Sequence, residues 1–436
     1  MNIVLLSGGS GKRLWPLSND VRSKQFIKMF KNENGGYESM VQRVYRQIKA
    51  ADPDADITIA TGKKQLSAIH NQLGDKVSVC VEPARRDTFP AIALAAAYLK
   101  SEKGINDDEA VVVCPVDPYV DLSYFKRIVC LAEAAREGRF KLNLMGVEPT
   151  YPSAKYGYII PESMDELSAV KEFKEKPDEK TAEGYIKQGA LWNCGVFAFR
   201  LGYILEKARQ YIDFESYEDI YNSYERLEKI SFDYAVSEKE ESIGCLRYAG
   251  EWKDIGSWNT FSEEMSENII GKAQMDDTCE NTNIINELNI PLLCMGCKDM
   301  IIAASSDGIL VADKKQSSYM KPYVDKIEDE ARFAEKSWGS FTVLDVQPES
   351  MVIRIILLPE HRLHYHSHEH RDEIWNVVSG SGRTIIDGRE RAVSAGDVIT
   401  MPAGCRHTVI ADTRLEVIEV QLGKDISVKD KKKHEL

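Results

Sequence analysis

Residues 1–26 read MNIVLLSGGSGKRLWPLSNDVRSKQF. The run Ile3–Leu6 carries no polar face, and it stops at a glycine cluster, Gly8, Gly9 and Gly11, with Arg13 and Lys24 beyond. A strand apolar on both faces belongs in a sheet covered by helices on both sides. Glycines at its end let backbone N–H groups approach an anion, and Arg with Lys supplies a donor fork and a compact charge for phosphate oxygens. Two familiar phosphate loops are excluded. A Walker A loop needs glycine where Leu6 stands and Ser or Thr where Arg13 stands, and a dinucleotide fingerprint from Gly9 and Gly11 needs glycine at Leu14. The plain alternative is a strand-to-helix turn with surface cations.

The pattern continues outward. Strand-like ADITIATG, KVSVCVEP, EAVVVCPVDPYV and KLNLMGVEP alternate with helix-like SMVQRVYRQIKA, KKQLSAIHNQL, FPAIALAAAYLKSE and YFKRIVCLAEAAREG up to residue 150. That alternation predicts an α/β fold, a Rossmann-like, mostly parallel sheet. Short strand-like runs at 275–318 predict a small β subdomain, and YVDKIEDEARFAEK (323–336) reads as a charged linking helix. From 338 onward closely spaced strands predict a β-barrel, and the terminal KDKKKHEL reads as a solvated tail.

Composition narrows the function. A formal charge of −13 in 436 residues argues against a chain that coats nucleic acid or an anionic membrane, so small molecules are the expected partners, and a homo-oligomer stays open. No run reaches the roughly 18 apolar residues of a spanning helix, and no leader pattern precedes the first strand, so a cytoplasmic location is expected. The nine cysteines lack disulfide-scaffold spacing; Cys294 and Cys297 form the one CxxC, and with no second pair for zinc they read as ordinary structural thiols.

Asp117 follows a strongly apolar strand, at the edge where parallel sheets hold ligands, and Asp254 lies in a Trp-rich turn. Two such carboxylates together with phosphate oxygens suit Mg²⁺, although each alone reads as a turn residue. With GGSGKRLWPLS, KQF, EPARRDTFPAIA, PVD, KYGYI, FKEKPD, WNCGVF, SFDYAV and WKDIGSW in order, residues 1 to about 260 resemble the bacterial mannose-1-phosphate guanylyltransferases of the sugar nucleotidyltransferase superfamily. The resemblance implies that Gly8, Gly9, Gly11 and Arg13 cradle the nucleotide phosphates, with Lys24 near the α-phosphate and Glu82 and Arg86 near the nucleotide. It implies that Gly157, Glu175, Lys176 and Asn193 hold the sugar phosphate and that Asp117 and Asp254 hold Mg²⁺, with Arg13, Lys24, Asp117 and Asp254 as the catalytic set. The implied domains are a nucleotidyltransferase domain at 1–265, a small β subdomain at 266–325 and a cupin at 338–423.

In the last domain His361, His364, His366, His368 and His370 fall within ten positions. His366 and His368 share a strand face, Glu373 follows, and His407 closes GDVITMPAGCRH. Three imidazoles and a carboxylate suit a borderline divalent metal, Zn²⁺, Mn²⁺, Fe²⁺ or Ni²⁺, and the spacing resembles the two cupin motifs. The alternative is a metal-free barrel with surface histidines. The domain also resembles type II phosphomannose isomerases, with His366 where those commonly have Gln. The function these resemblances imply is GDP-mannose synthesis from GTP and mannose 1-phosphate, with isomerase activity left open. Lys12, Asp87, Phe89 and Pro118 depart from the usual pattern on the nucleotide side, which keeps another NTP and sugar 1-phosphate pair as an alternative. A non-catalytic sugar-nucleotide sensor is the second.

Overall fold

The computed structural model describes residues 1–8, 11–19, 21–327, 331–424, 426 and 430–435. It divides into two compact units, Met1–Gly9 with Gln25–Leu66 and Lys76–Gly256, and Ser10–Lys24 with Ser67–Asp75 and Ser257–Leu436. Each is described by itself.

The first unit is built on a nine-stranded sheet in the order 78–82, 56–62, 2–6, 110–115, 191–200, 142–147, 243–248, 167–174, 158–161. Asn2–Leu6 pairs in parallel with both Asp56–Gly62 and Ala110–Pro115, so the expected parallel core is present. Leu191–Arg200 inserts antiparallel between Ala110–Pro115 and Leu142–Val147, which makes the sheet mixed. Helices cover it in two groups. Thr88–Ser101, whose residues from Phe89 to Ala97 are all buried, packs with Leu201–Arg209 and Tyr217–Ser223. Met40–Ala51 packs with Leu122–Glu137. A capping box of Ser39 and Gln42 starts the former, and Asp121 caps the latter, which ends at left-handed Gly138. Val4, Val111 and Val113 join the core under the first helix group while Ile3, Leu5 and Val112 are also buried, so the strands bury both faces as their sequence requires.

In the second unit the small β region contains a four-stranded sheet, 269–271, 283–286, 300–305 and 308–313, and a parallel pair, Ala273–Met275 with Leu292–Cys294. The segment 11–24 is tied to this region. Arg22 makes a bidentate pair with Glu287 at 2.8 and 2.9 Å, Asn19 donates to Asp307 at 2.6 Å, and Ser305 Oγ donates to the Pro16 carbonyl at 2.7 Å.

Beyond it lies a cupin-type domain of two antiparallel sheets, one of six strands and one of five. Trp375, Val377, Leu415 and Val417 from the first and Val393, Val409 and Ala411 from the second close one core. Two expectations are corrected here. Among its described residues the charged segment is helical only at its start, within Lys321–Val324, and Phe333–Lys336 is a strand paired antiparallel with Gly339–Gln347, because cross-strand bonding outweighs the weak helix preference of FAEK. The terminal segment is exposed at Lys431–Lys433, as a solvated tail is, but it is strand-paired with His366–His368 and not a loose end. These two strands carry the cupin sheets to either side of the expected 338–423. No helix among the described residues is long and apolar enough to cross a membrane.

Candidate functional site

The first unit gathers most of the sequence-predicted residues at the C-terminal edge of its parallel strands, where the backbone leaves the sheet and side chains face outward. Asp117 follows Ala110–Pro115, and the chain continues into a short strand, Pro118–Val120, paired antiparallel with Trp252–Asp254. The register sets Asp254 opposite Pro118, so the two half-buried aspartates are neighbours across this ladder. The Asp254 carboxylate lies over Gly256, where a Cβ would come within 3.3 Å of Oδ2. Tyr156 adjoins it, its hydroxyl pushed up by burial and then by the Asp254 charge. Two oxygen-bearing groups side by side and partly open to water fit Mg²⁺, which takes a carboxylate or two and keeps water and phosphate for its other positions.

The Tyr156 ring packs tilted against Trp192 and edge-on against Trp252, with centroids 4.8 and 5.5 Å away, and the next residue opens a second cluster. At Gly157 there is no room for a side chain without movement, since an added Cβ would meet Glu175 Oε2 at 2.5 Å, Phe173 at 3.2 Å and Asn193 at 3.3 Å. Glu175 is buried, its Oε1 accepts from Lys176 Nζ at 2.6 Å, and Glu238 accepts from its backbone N–H at 3.0 Å. Asn193 sits where Leu191–Arg200 slips register against Leu142–Val147, beside left-handed Gly195. That irregularity is the kind that re-aims a side chain. Asn193 Oδ1 accepts from the Gly195 N–H at 3.1 Å, and Nδ2 donates to Asp233 at 2.7 Å.

Sequence reading passed over Asp233. It opens a π-helical turn, Asp233–Ser237, a geometry often found at functional sites. Burial and then the Glu175 charge push its carboxyl up to about 7. The signal was available, an acid inside SFDYAV, but nothing in one sequence tells it from a turn acid. Gly157, Glu175, Lys176, Asn193 and Asp233 together offer carboxylate and amide acceptors for sugar hydroxyls and an ammonium for a phosphate.

On the nucleotide side of this unit, Gly8 follows the first strand, with Glu82 Oε1 4.0 Å from the position of an added Cβ. Glu82 accepts from the Tyr224 hydroxyl at 2.9 Å, and burial raises its carboxyl. Arg86 is half-buried just before Thr88–Ser101, which starts at Asp87 in the left-handed region, φ 73°. Gly9 lies outside the described residues. Gly11 and Arg13 fall in a short 3-10 helix, Gly11–Leu14, with Arg13 exposed, and Lys24 is half-buried at the start of Lys24–Phe26. These last three belong to the second unit, so the ladder geometry brings together Asp117 and Asp254 and says nothing of Arg13 and Lys24.

The second unit carries its own centre. His366, His368, Glu373 and His407 are all buried, and one ligand atom from each lies within 4.8 Å of every other. His366 pairs directly with His407 across adjacent strands. Each imidazole is oriented from behind by a backbone carbonyl at Nδ1, from His364 for His366, from Asp430 at 3.1 Å for His368 and from Cys405 at 3.1 Å for His407. Nδ1 therefore keeps its proton, and the Nε2 lone pairs are left to bind. Burial, then the Lys431 charge, push His366 down to about 2, so it is neutral.

Glu373 Oε2 and His407 Nε2 are 3.1 Å apart, yet neither has an aligned hydrogen-bond partner among the described residues. Buried orphan donors of this type fit a divalent ion. Arg371 donates to Glu373 Oε1 at 3.0 Å and lies 3.1 Å from His368 Nε2, so loading an ion exchanges those contacts.

Comparison with known proteins agrees with both halves. The family model described as Nucleotidyl transferase matches residues 2–269, and that described as Mannose-6-phosphate isomerase C-terminal matches residues 325–435. The Xanthan biosynthesis protein XanB of Xanthomonas campestris pv. campestris (strain B100) is 30% identical, across 98% of this chain and 96% of that protein. The Mannose-1-phosphate guanylyltransferase of Escherichia coli (strain K12) is 28% identical, with 98% and 96% covered. A crystal structure titled mannose-1-phosphate geranyltransferase, from Thermus thermophilus, superposes with a TM-score of 0.63 at 26% identity, covering 75% of this chain and 99% of that one. The chain is thus a member of the nucleotidyl transferase family, joined to a C-terminal domain of the mannose-6-phosphate isomerase type.

Proposed function

We propose that this protein makes GDP-mannose and pyrophosphate from GTP and mannose 1-phosphate. The observation that carries the reading is the ladder register that sets Asp254 beside Asp117, one aromatic cluster away from the Gly157, Glu175, Asn193 and Asp233 pocket. A phosphate oxygen of mannose 1-phosphate attacks the α-phosphorus of GTP, the bond to the β-phosphate oxygen breaks, and pyrophosphate leaves. The nucleophile is already anionic, so the protein needs no general base, only in-line alignment and relief of charge repulsion.

In this reading Glu175, Asn193 and Asp233 hold the sugar hydroxyls, Gly157 gives the sugar room, and Lys176 pairs with its phosphate. The nucleotide phosphates are assigned to Gly8, Gly9, Gly11, Arg13 and Lys24, and the nucleotide to Glu82 and Arg86. Asp117 and Asp254 would hold Mg²⁺, which when bound screens the reacting phosphates. The setting in this reading is cytoplasmic. The test is pyrophosphate release across a panel of NTPs and sugar 1-phosphates. Turnover with GTP and mannose 1-phosphate far above other pairs supports the proposal, and none with that pair rejects it.

A second reading concerns the cupin. The orphaned Glu373 Oε2 and His407 Nε2 favour a bound divalent ion of the Zn²⁺, Mn²⁺, Fe²⁺ or Ni²⁺ class and with it interconversion of fructose 6-phosphate and mannose 6-phosphate. A coupled assay on metal-loaded protein decides this reading, and absence of turnover rejects it.

A further inference from the structure

The small β region concentrates sulfur outside both centres. Cys294 ends the strand Leu292–Cys294 and is 5% exposed, while Cys279 and Cys297 are half-buried. Cys294 Sγ lies 3.4 Å from Cys297 Sγ. Cys279 Sγ lies 3.3 Å from Asp276 Oδ1 and 3.6 Å from the Cys294 carbonyl oxygen.

The turn holding the pair is fixed from several sides. Gly296, left-handed at φ 68°, donates its N–H to Asp276 Oδ1 at 3.0 Å. The Cys297 carbonyl accepts from the Glu280 N–H at 2.9 Å and from Thr282 Oγ1 at 3.0 Å. Among the described residues, the group of three or more ligand atoms close enough to share an ion is the cupin set and does not include these thiols. Two sulfurs held in contact in a braced turn, with no ion site around them, are arranged for bonding to each other.

We propose that Cys294 and Cys297 form a reversible disulfide when the protein meets a hydroperoxide, with Cys297 reacting first. Exposure sets the order: Cys297 reaches solvent and Cys294 does not. In the first step the Cys297 sulfur attacks one peroxide oxygen, the O–O bond breaks, and the departing hydroxide takes the thiol proton as water, leaving a sulfenic acid. In the second the Cys294 sulfur attacks that sulfur, the S–O bond breaks, and a second water leaves with the Cys294 proton. Two thiols are oxidised and one peroxide is reduced, and a dithiol reductant reverses the change by exchange. The sulfurs must close from 3.4 Å to a bond of about 2 Å, within reach of side-chain rotation.

The test treats the full-length native protein with hydrogen peroxide, traps free thiols with iodoacetamide, and measures intact mass and far-UV circular dichroism. All three cysteines fall between Lys272 and Lys298, on one tryptic peptide, so variants make the assignment. The wild type and Cys279→Ser should each lose two alkylatable thiols, about 2 Da in the untrapped protein, and regain them with dithiothreitol. Cys297→Ser, folded by circular dichroism, should lose none, whereas Cys294→Ser should show no 2 Da loss and lose one thiol, as a Cys297 sulfenic acid about 16 Da heavier. The proposal is overturned if Cys279→Ser abolishes the loss, if Cys297→Ser retains it, if Cys297 goes directly to sulfinic acid, or if a chelator frees thiols that a co-purified metal had masked.

Discussion

Replacing Gly157 by alanine tests the sugar pocket with one methyl group. The added Cβ would stand 2.5 Å from Glu175 Oε2, and an ordinary contact begins near 3.4 Å, so the carboxylate must retreat by about 0.9 Å or the strand must shift. Glu175 has little freedom to comply, being buried and held by Lys176 at 2.6 Å and through its backbone by Glu238 at 3.0 Å. Phe173 and Asn193, at 3.2 and 3.3 Å from the same methyl, close the other directions. Overpacking of this kind costs about 1–3 kcal/mol of stability. A displacement near 1 Å in a positioning group costs roughly 100-fold in rate. Gly157→Ala should therefore fold with a reduced urea midpoint and lose about 30- to 100-fold in kcat/KM for mannose 1-phosphate, with KM for GTP changed by less than about threefold. Pyrophosphate release measured against each substrate in turn checks this. Unchanged kcat/KM for the sugar, in a variant whose stability has fallen as expected, would refute the placement of Glu175 in the pocket.

Asp254→Asn should preserve the fold and reduce turnover by about 100-fold or more, because the ladder loses one of its two charges; pyrophosphate release at rising Mg²⁺ reads this. Asp233 gives a pH signature. Its carboxyl is raised to about 7 in the folded chain, so between pH 4 and 7 the native state binds more protons than the unfolded one and stability from this group falls as pH rises. Asp233→Asn should flatten that fall, seen as a smaller difference in urea midpoint between pH 5 and pH 8 than in the wild type. Metal analysis of purified protein should find one divalent transition metal per chain, lost in His407→Ala. Chelation should lower the unfolding temperature of the cupin, since a ligand present at 100 times its Kd contributes about 2.7 kcal/mol, and guanylyl transfer should be unchanged once Mg²⁺ alone is restored.

Much of the architecture was legible where physics acts locally. Runs such as Ala110–Pro115 are apolar on both faces, which only a covered sheet tolerates, and Ser39 and Asp121 announce their helices. The cupin quartet was legible for the same reason, since HxH puts two imidazoles on one strand face. What failed was decided by distant partners. FAEK at 333–336 has helix-forming residues and becomes a strand through Gly339–Gln347, and KKK at 431–433 has no periodicity of its own but bonds to His366–His368. Asp233 is identifiable only once Asn193 and Glu175 are seen beside it.

The pairing of Pro118–Val120 with Trp252–Asp254 also has a consequence in time. The glycine loop and Asp117 are synthesised early, but the strand bearing the second carboxylate emerges 137 residues after the first. At about 5–20 residues per second that is an interval of roughly 7–27 s, in which a nascent chain holds a phosphate loop without a complete cation site. On the proposed reading, a chain truncated before Trp252 lacks the second carboxylate and should release no pyrophosphate from GTP and mannose 1-phosphate.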